Sequence, residues 1–479
     1  MRNRLKRAPA LHSDRVDIIV IGSGFAGMAA AIEAAESGAS VLILEKMMAP
    51  GGNSIISDGG IAAPDTVYQK LAGIDDSPET MYQDMMTAGE GLNYPELVKI
   101  VAEGAKEAFL WTKDYLGVRY KNRVDIFGGH SVPRCYTPDT ISGRALIEKQ
   151  LAKLLELNVP ILLGTYVKSL IADENDRIVG VQIMAGFRPQ QPCQATETTV
   201  ISARAVIVAS GGFGNDIPFR RSQDPRLGSN IQSTNKAFAT AEILKECLRI
   251  GANPVQLSRI QLAPFTSPDE RGYGAGPLFG DYVVLPYGMI IDPATGGRFA
   301  NELGNRKVLA DAIMQRQQPA IGIADSSGVQ AAGWNLDRAM KRGVVKTFPS
   351  IVQLTHHYKV DPDTLKASIA NYNSMVITGR DHAFNKPILS QALPLEKSPF
   401  YAMRIWPKVH HTMGGLQIDQ FARVIHRDQH PISGLFAAGE VTGGIHGACR
   451  LGSCAITDCI VFGRIAGRSA AGMDQDHTG

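Results

Sequence analysis

The chain has 479 residues, more than a single hydrophobic core usually supports, so two domains are expected. Hydrophobic residues make up 44% and charged residues 20%, which excludes a disordered or fibrous chain and fits a globular enzyme. A formal net charge of +3 argues against a nucleic-acid partner, and no apolar window is long enough to cross a bilayer, which argues against membrane insertion.

Met1 to Arg15 is basic (Arg2, Arg4, Lys6, Arg7) but lacks the apolar centre of a signal peptide, and reads as a surface tail. The next stretch, Val16 to Lys46, reads as strand, turn, helix, strand. Val16–Ile21 is short, apolar and rich in β-branched residues, as a parallel strand buried on both faces should be. Gly22, Gly24 and Gly27 follow in G-x-G-x-x-G spacing. The first permits a tight turn, the second lets backbone approach a pyrophosphate, and the third lets the helix lie close to the sheet. The phosphates would then meet unpaired N–H groups at a helix N-terminus. Gly38 ends the helix, Val41–Leu44 is the second strand, and Glu45 stands where an acid can accept from ribose hydroxyls.

Gly51-Gly52-Asn53-Ser54 and Ser57-Asp58-Gly59-Gly60 form a glycine-dense segment able to lie against a flat ring system. Ser77 to Leu116 has helical periodicity, Phe127–Arg134 reads as a loop, and Ser142–Leu155 as another helix. Val159 to Ile183 is β-hairpin material. Ala205–Ala209 is a second buried strand running into Ser210-Gly211-Gly212, so a long cofactor could be held at both ends of one sheet. The six cysteines (Cys135, Cys193, Cys247, Cys449, Cys454, Cys459) form no C-x-x-C pair. No metal site is therefore expected, and a reducing, cytoplasmic location fits. Cys449, Cys454 and Cys459 recur every five residues and read as small packed side chains.

The Val16–Lys46 unit, Gly51–Ser54, Ala209–Phe213 and His410-His411-Thr412-Met413-Gly414-Gly415 together resemble the FAD-dependent flavoprotein family of fumarate reductase, succinate dehydrogenase and aspartate oxidase. The run from Gly434 to Gly452 is the most specific match. The likeness is strongest to the soluble branch, the flavin domains of flavocytochrome c fumarate reductases and urocanate reductase. It implies an α/β fold with a Rossmann-like FAD-binding domain of the glutathione-reductase type in two pieces, residues 1–257 and 409–479, interrupted by an α+β capping domain at 258–408.

The resemblance implies FAD contacts at Gly22, Gly24, Phe25, Ala26, Gly27, Glu45, Lys46, Gly51, Gly52, Asn53, Ser54, Ser57, Gly59 and Gly60. On the later segments it implies Val167, Ser210, Gly211, Gly439, Glu440, Arg450, Ser453, Ala455 and Ile456. The Asn53–Ser57 segment lacks the flavin-linking histidine of the membrane-complex relatives, so noncovalent FAD is expected. Arg306, closing Arg298–Asn305, matches the arginine that exchanges a proton with substrate; Arg450 matches the carboxylate-binding arginine, and His410 a substrate-contacting histidine. Lys307 stands where many relatives have aspartate, which puts the proton relay in question.

Ala263 replaces a histidine of fumarate-handling members, and Gly272–Tyr282 lacks their Thr-Glu pair. A second carboxylate would be left unpaired there, at a cost of several kcal/mol. The expected substrate is thus an unsaturated acid with one carboxylate and a less polar end near Tyr282 or Tyr287. The reaction expected is enoate reduction, with hydride from the flavin, a proton from Arg306, and electrons from a separate donor. Dehydrogenation of a cyclic ketone or amino acid, or a flavin electron-transfer subunit, are the alternatives.

Overall fold

The computed structural model describes residues 15–188 and 198–472; the basic tail before Arg15 and Cys193 lie outside these residues. Strand β1 (Arg15–Ile21) pairs in parallel with β2 (Val41–Glu45) on one side and with the strand Thr198–Val208 on the other. Ile161–Leu163 extends the sheet beyond β2, and Pro431–Ala437 extends it beyond Thr198–Val208. Ile18, Ile19 and Val20 are wholly buried, as expected for strands covered on both faces. Thr198–Val208 starts earlier than its apolar run because its first half pairs antiparallel with Ile178–Ala185. That strand in turn forms the expected hairpin with Thr165–Ala172.

Helix α1 (Phe25–Glu36) starts directly after the glycine turn and is buried from Phe25 to Ala34 between the sheet and the C-terminal helix Cys454–Ala471. Its alanines leave room for that contact. The helical periodicity of Ser77–Leu116 resolves into two helices, Pro78–Ala88 and Pro95–Leu110, and a following π-helical turn, Trp111–Tyr115. The break has a local cause. Tyr94 precedes a proline, which disfavours α-helical backbone, and the Asn93 amide donates to the carbonyls of Met85 and Ile445 instead.

A second, antiparallel sheet (Met289–Ile291, Ala320–Asp325, Phe400–Ile405, Lys346–Phe348) has its own core around Ile291, Ile321, Ile323, Leu354 and Tyr372. It belongs to the cap. The chain runs towards it through Ile260–Ala263 and returns through Lys408–Thr412, and these two strands pair with each other. Among the described residues no helix is long and apolar enough to cross a membrane.

Candidate active site

Two joined cavities lie at the C-terminal ends of the parallel strands. The first follows the glycine turn and is lined by Gly22, Gly24, Phe25, Ala26, Glu45, Lys46, Gly52, Asn53, Ser54, Val167, Ser210, Gly211, Gly439 and Glu440. Gly22 has φ +104°, and a Cβ there would lie 2.4 Å from the Ala209 carbonyl oxygen. A Cβ on Gly27 would lie 2.0 Å from the Gly22 carbonyl oxygen, so this glycine sets the helix against the turn without lining the cavity. Gly51 and Gly59 also line neither cavity. Gly51 donates its N–H to Ser23 Oγ at 3.0 Å, and Gly59 packs against Gly143 and Pro138. Glu45, buried, accepts from Ser23 N (3.1 Å), Ser23 Oγ (2.5 Å) and Met47 N (2.8 Å) at the end of β2.

The second cavity shares Phe25, Asn53, Ser54, Glu440 and Cys459 with the first. It gathers Ser57, Gly60, Arg306, His410, Arg450, Ser453, Ala455 and Ile456. Residues as far apart in the chain as Phe25 and Cys459 thus face one space. Arg306 opens the helix Arg306–Gln315, whose N-cap Asn305 accepts from Lys307 N at 2.8 Å. The preceding loop is clamped by a buried ion-pair group in which Arg298 donates to Glu302 (2.7 Å) and Asp381 (2.9 Å). A cation in a first helical turn opposes the macrodipole, an effect that by itself eases proton loss from this guanidinium.

Arg306 Nη2 donates to Asp281 Oδ2 at 3.0 Å, the guanidinium lies 4.8 Å from the Phe265 ring centre, and its buried Nε has no partner. Burial pulls the Arg306 pKa down, but Asp281 together with Cys449, Tyr273 and Asp58 outweighs it and leaves the pKa above the usual arginine value. Burial pushes Asp281 up to about 6 despite Arg306. Arg450 has no such acid: its Nη1 donates to the Leu451 carbonyl at 2.9 Å, and its buried Nε is unpartnered. Burial, then repulsion from Arg306, lowers Arg450 to about 10. His410 Nδ1 lies 2.8 Å from Thr234 Oγ1, and burial followed by Arg450 and Arg306 holds the imidazole neutral, well below its ordinary pKa.

The residues matched by a model described as an FAD binding domain run from 17 to 456. The chain is 40% identical over 463 residues to an acrylate reductase flavoprotein subunit from Shewanella woodyi, covering 95% of this chain and 90% of that one. It is 34% identical over 478 residues to a urocanate reductase from Eggerthella lenta, covering 98% and 76%. The chain belongs to the FAD-binding fumarate reductase and succinate dehydrogenase flavoprotein family. Its fold matches a flavocytochrome c3 fumarate reductase solved in an open conformation, with a TM-score of 0.75 and 31% identity over 96% of this chain and 79% of that one.

Like its family, the protein is an FAD-dependent oxidoreductase of the CH–CH group. The residues present fit FAD: a cradle at Gly22 that any side chain would fill, followed by a second cavity with two unpartnered buried guanidinium nitrogens. Neither Tyr282 nor Tyr287 lines the second cavity. Tyr282 lies one layer behind, donating to Asp58 Oδ2 at 2.7 Å between Phe127 and Trp334, and Tyr287 reaches Gln391. Tyr273 takes the expected place, its ring 6.2 Å from that of His410.

Asp281, Asp58 and Gln261 were not singled out from the sequence. Asp281 falls in the very stretch read as lacking an acidic counterpart, and its signal is the acid directly before Tyr282. Gln261 Nε2, buried, donates to the Arg450 carbonyl at 2.8 Å and steadies the arginine's backbone. Cys449 and Cys454 are buried as expected, whereas Cys459 lines both cavities.

Proposed function

We propose that the protein reduces the carbon–carbon double bond of an unsaturated monocarboxylate, an acrylate-type enoate. Arg450 carries this reading. It is buried, it faces the cavity, and no carboxylate among the described residues pairs with it, so it is placed to hold a substrate carboxylate through parallel hydrogen bonds. The other guanidinium is neutralised by Asp281, while Asp58 adds negative charge to the same space. A second carboxylate would meet Asp58, Phe265 and Tyr273 rather than a clamp.

Bound FAD supplies the hydride for the carbon β to the carboxylate. Arg450 draws electron density from the double bond and fixes its orientation. Neutral His410 supports that carboxylate without adding charge. Arg306 delivers a proton to the α-carbon, and Asp281, once protonated from solvent, returns one to Arg306 in the relay role that Lys307 cannot fill. Arginine is ordinarily too weak an acid for this step; its place at a helix N-terminus and its exclusion from water ease proton loss, and Asp281 opposes it only while ionised. Phe265 beneath the guanidinium keeps water from it.

FAD is held noncovalently in this reading, since Asn53–Ser57 offers no histidine, cysteine or tyrosine for a flavin link; acid denaturation should release all the flavin to the supernatant. Electrons come from a separate donor, in keeping with the relative that is a flavoprotein subunit. The cap extends from 258 to 408, the strands at its two ends being paired. A reducing, cytoplasmic setting agrees with the five free cysteines of the described residues. The deciding experiment follows reoxidation of the dye-reduced flavin by acrylate, cinnamate, urocanate and fumarate. Acrylate or another monocarboxylate should react fastest; preferential turnover of fumarate, or inertness to every enoate, would sink the reading.

A further inference from the structure

The substrate cavity opens outward into a much larger cleft of about 1030 Å³ between the flavin-binding part and the cap; Asp58, Thr234 and Tyr273 line both. The cleft is therefore a way from solvent to Arg450. Its walls are cationic on both sides. Arg144 and Lys236 project from the flavin-binding side, and Arg271, Arg338, Lys341 and Arg342 from the cap. All six are exposed. The acids among its lining residues are Asp337 and Asp58.

Exposed lysines and arginines usually sit near carboxylates that offset them, and Arg144 does lie 3.9 Å from Glu148. The other five form no ion pair with any described residue. In a chain whose net charge is only +3, five unpaired cations around one concavity are a local concentration. Low-dielectric walls focus the field of such charges into the cleft, raising the local concentration of anions and their rate of arrival.

We propose that this cleft is a collecting site for the carboxylate anion of the substrate, which it draws from solvent and passes to Arg450. The proposal rests on the reading of the site as a carboxylate reductase but does not depend on which acid is reduced. Water between the walls screens the cations, so their effect should fade as the Debye length shrinks from about 10 Å at 0.1 M salt to about 3 Å at 1 M.

The test uses FAD-loaded protein and two anionic probes. Sulfite, which bleaches oxidised flavin, measures anion arrival whether or not any enoate is turned over; acrylate measures kcat/KM in the dye-coupled assay. Wild type should show both rates falling as salt rises. The charge-reversed variant Arg338→Glu/Lys341→Glu/Arg342→Glu should lose about tenfold or more in both at low salt and converge with wild type at high salt. The milder Lys341→Gln/Arg342→Gln should fall between them. Convergence at high salt separates lost field from misfolding. A wild-type sulfite rate that ignores salt, or a reversed variant as fast as wild type at low salt, would overturn the proposal. A sulfite rate that falls with salt and with charge reversal, alongside inertness to acrylate, supports the collecting site and rejects the proposed reaction.

Discussion

In the flavin-binding part, the groups that start the cofactor cavity are close in sequence: Gly22 and Gly24 form the turn, Gly27 lets the following helix pack against it, and Glu45 closes the next strand to accept from Ser23. At the reacting end, built by the cap and the flavin-binding part together, each group meets a partner delivered by a different element. Arg306 finds Asp281 25 residues earlier, and His410 arrives on the returning strand to face Thr234. The first half is specified by local backbone geometry, the second by long-range juxtaposition. A short motif can therefore report the cofactor, while the substrate is decided by contacts that no single segment contains.

That division can be broken by substitution. Arg306→Ala should cut enoate reduction by about 10³-fold with flavin content and melting temperature unchanged; loss of flavin would show that the cap also holds the cofactor. Asp281→Asn should cost about 10²-fold, measured by stopped-flow reoxidation, and an unaffected rate would remove it from the relay. Gly27→Ala should do the reverse, lowering stability by about 1–3 kcal/mol through overpacking against the Gly22 carbonyl. Denaturant melts and flavin retention would report it, and an unchanged midpoint would deny the close contact.

The smallest effect is the dependence on pH. Asp281 titrates at about 6 against an ordinary 3.8, so it carries its proton below about 6 and has lost it above. The rate of reduction should rise as pH falls through that value, and the limb should vanish in Asp281→Asn. The same raised pKa stabilises the folded protein on the acid side, an effect lost as pH climbs past about 6.

Much of this was legible in the residues. The β1–α1–β2 unit, the buried strand ending at Val208 and the hairpin follow from apolar runs and glycine spacing, and their pairing in one sheet follows the right-handed logic of parallel strands. Arg306, His410 and Arg450 could be singled out only through family resemblance, because nothing in their local sequence distinguishes them from surface cations or packed histidines. Asp281 was hidden for a different reason. It lies in a short helical segment with apolar neighbours on both sides, and only the tertiary fold aims it at a guanidinium. Tyr273 lines the cavity in place of the expected tyrosines, on a loop whose Glu270 and Gly272 carbonyls accept from the buried Lys408.

The pairing of Ile260–Ala263 with Lys408–Thr412 has a consequence for how such enzymes can diversify. Because the inserted segment leaves and rejoins the flavin-binding part at adjacent points, it can be exchanged for another with two joints and little disturbance of the parallel sheet. Arg306, Asp281 and Phe265 would travel with the exchanged piece, whereas Arg450 and the glycine turn would stay. A graft made at these two strands would change the proton source and the shape of the pocket in one step, on an anchor for the substrate carboxylate that remains fixed.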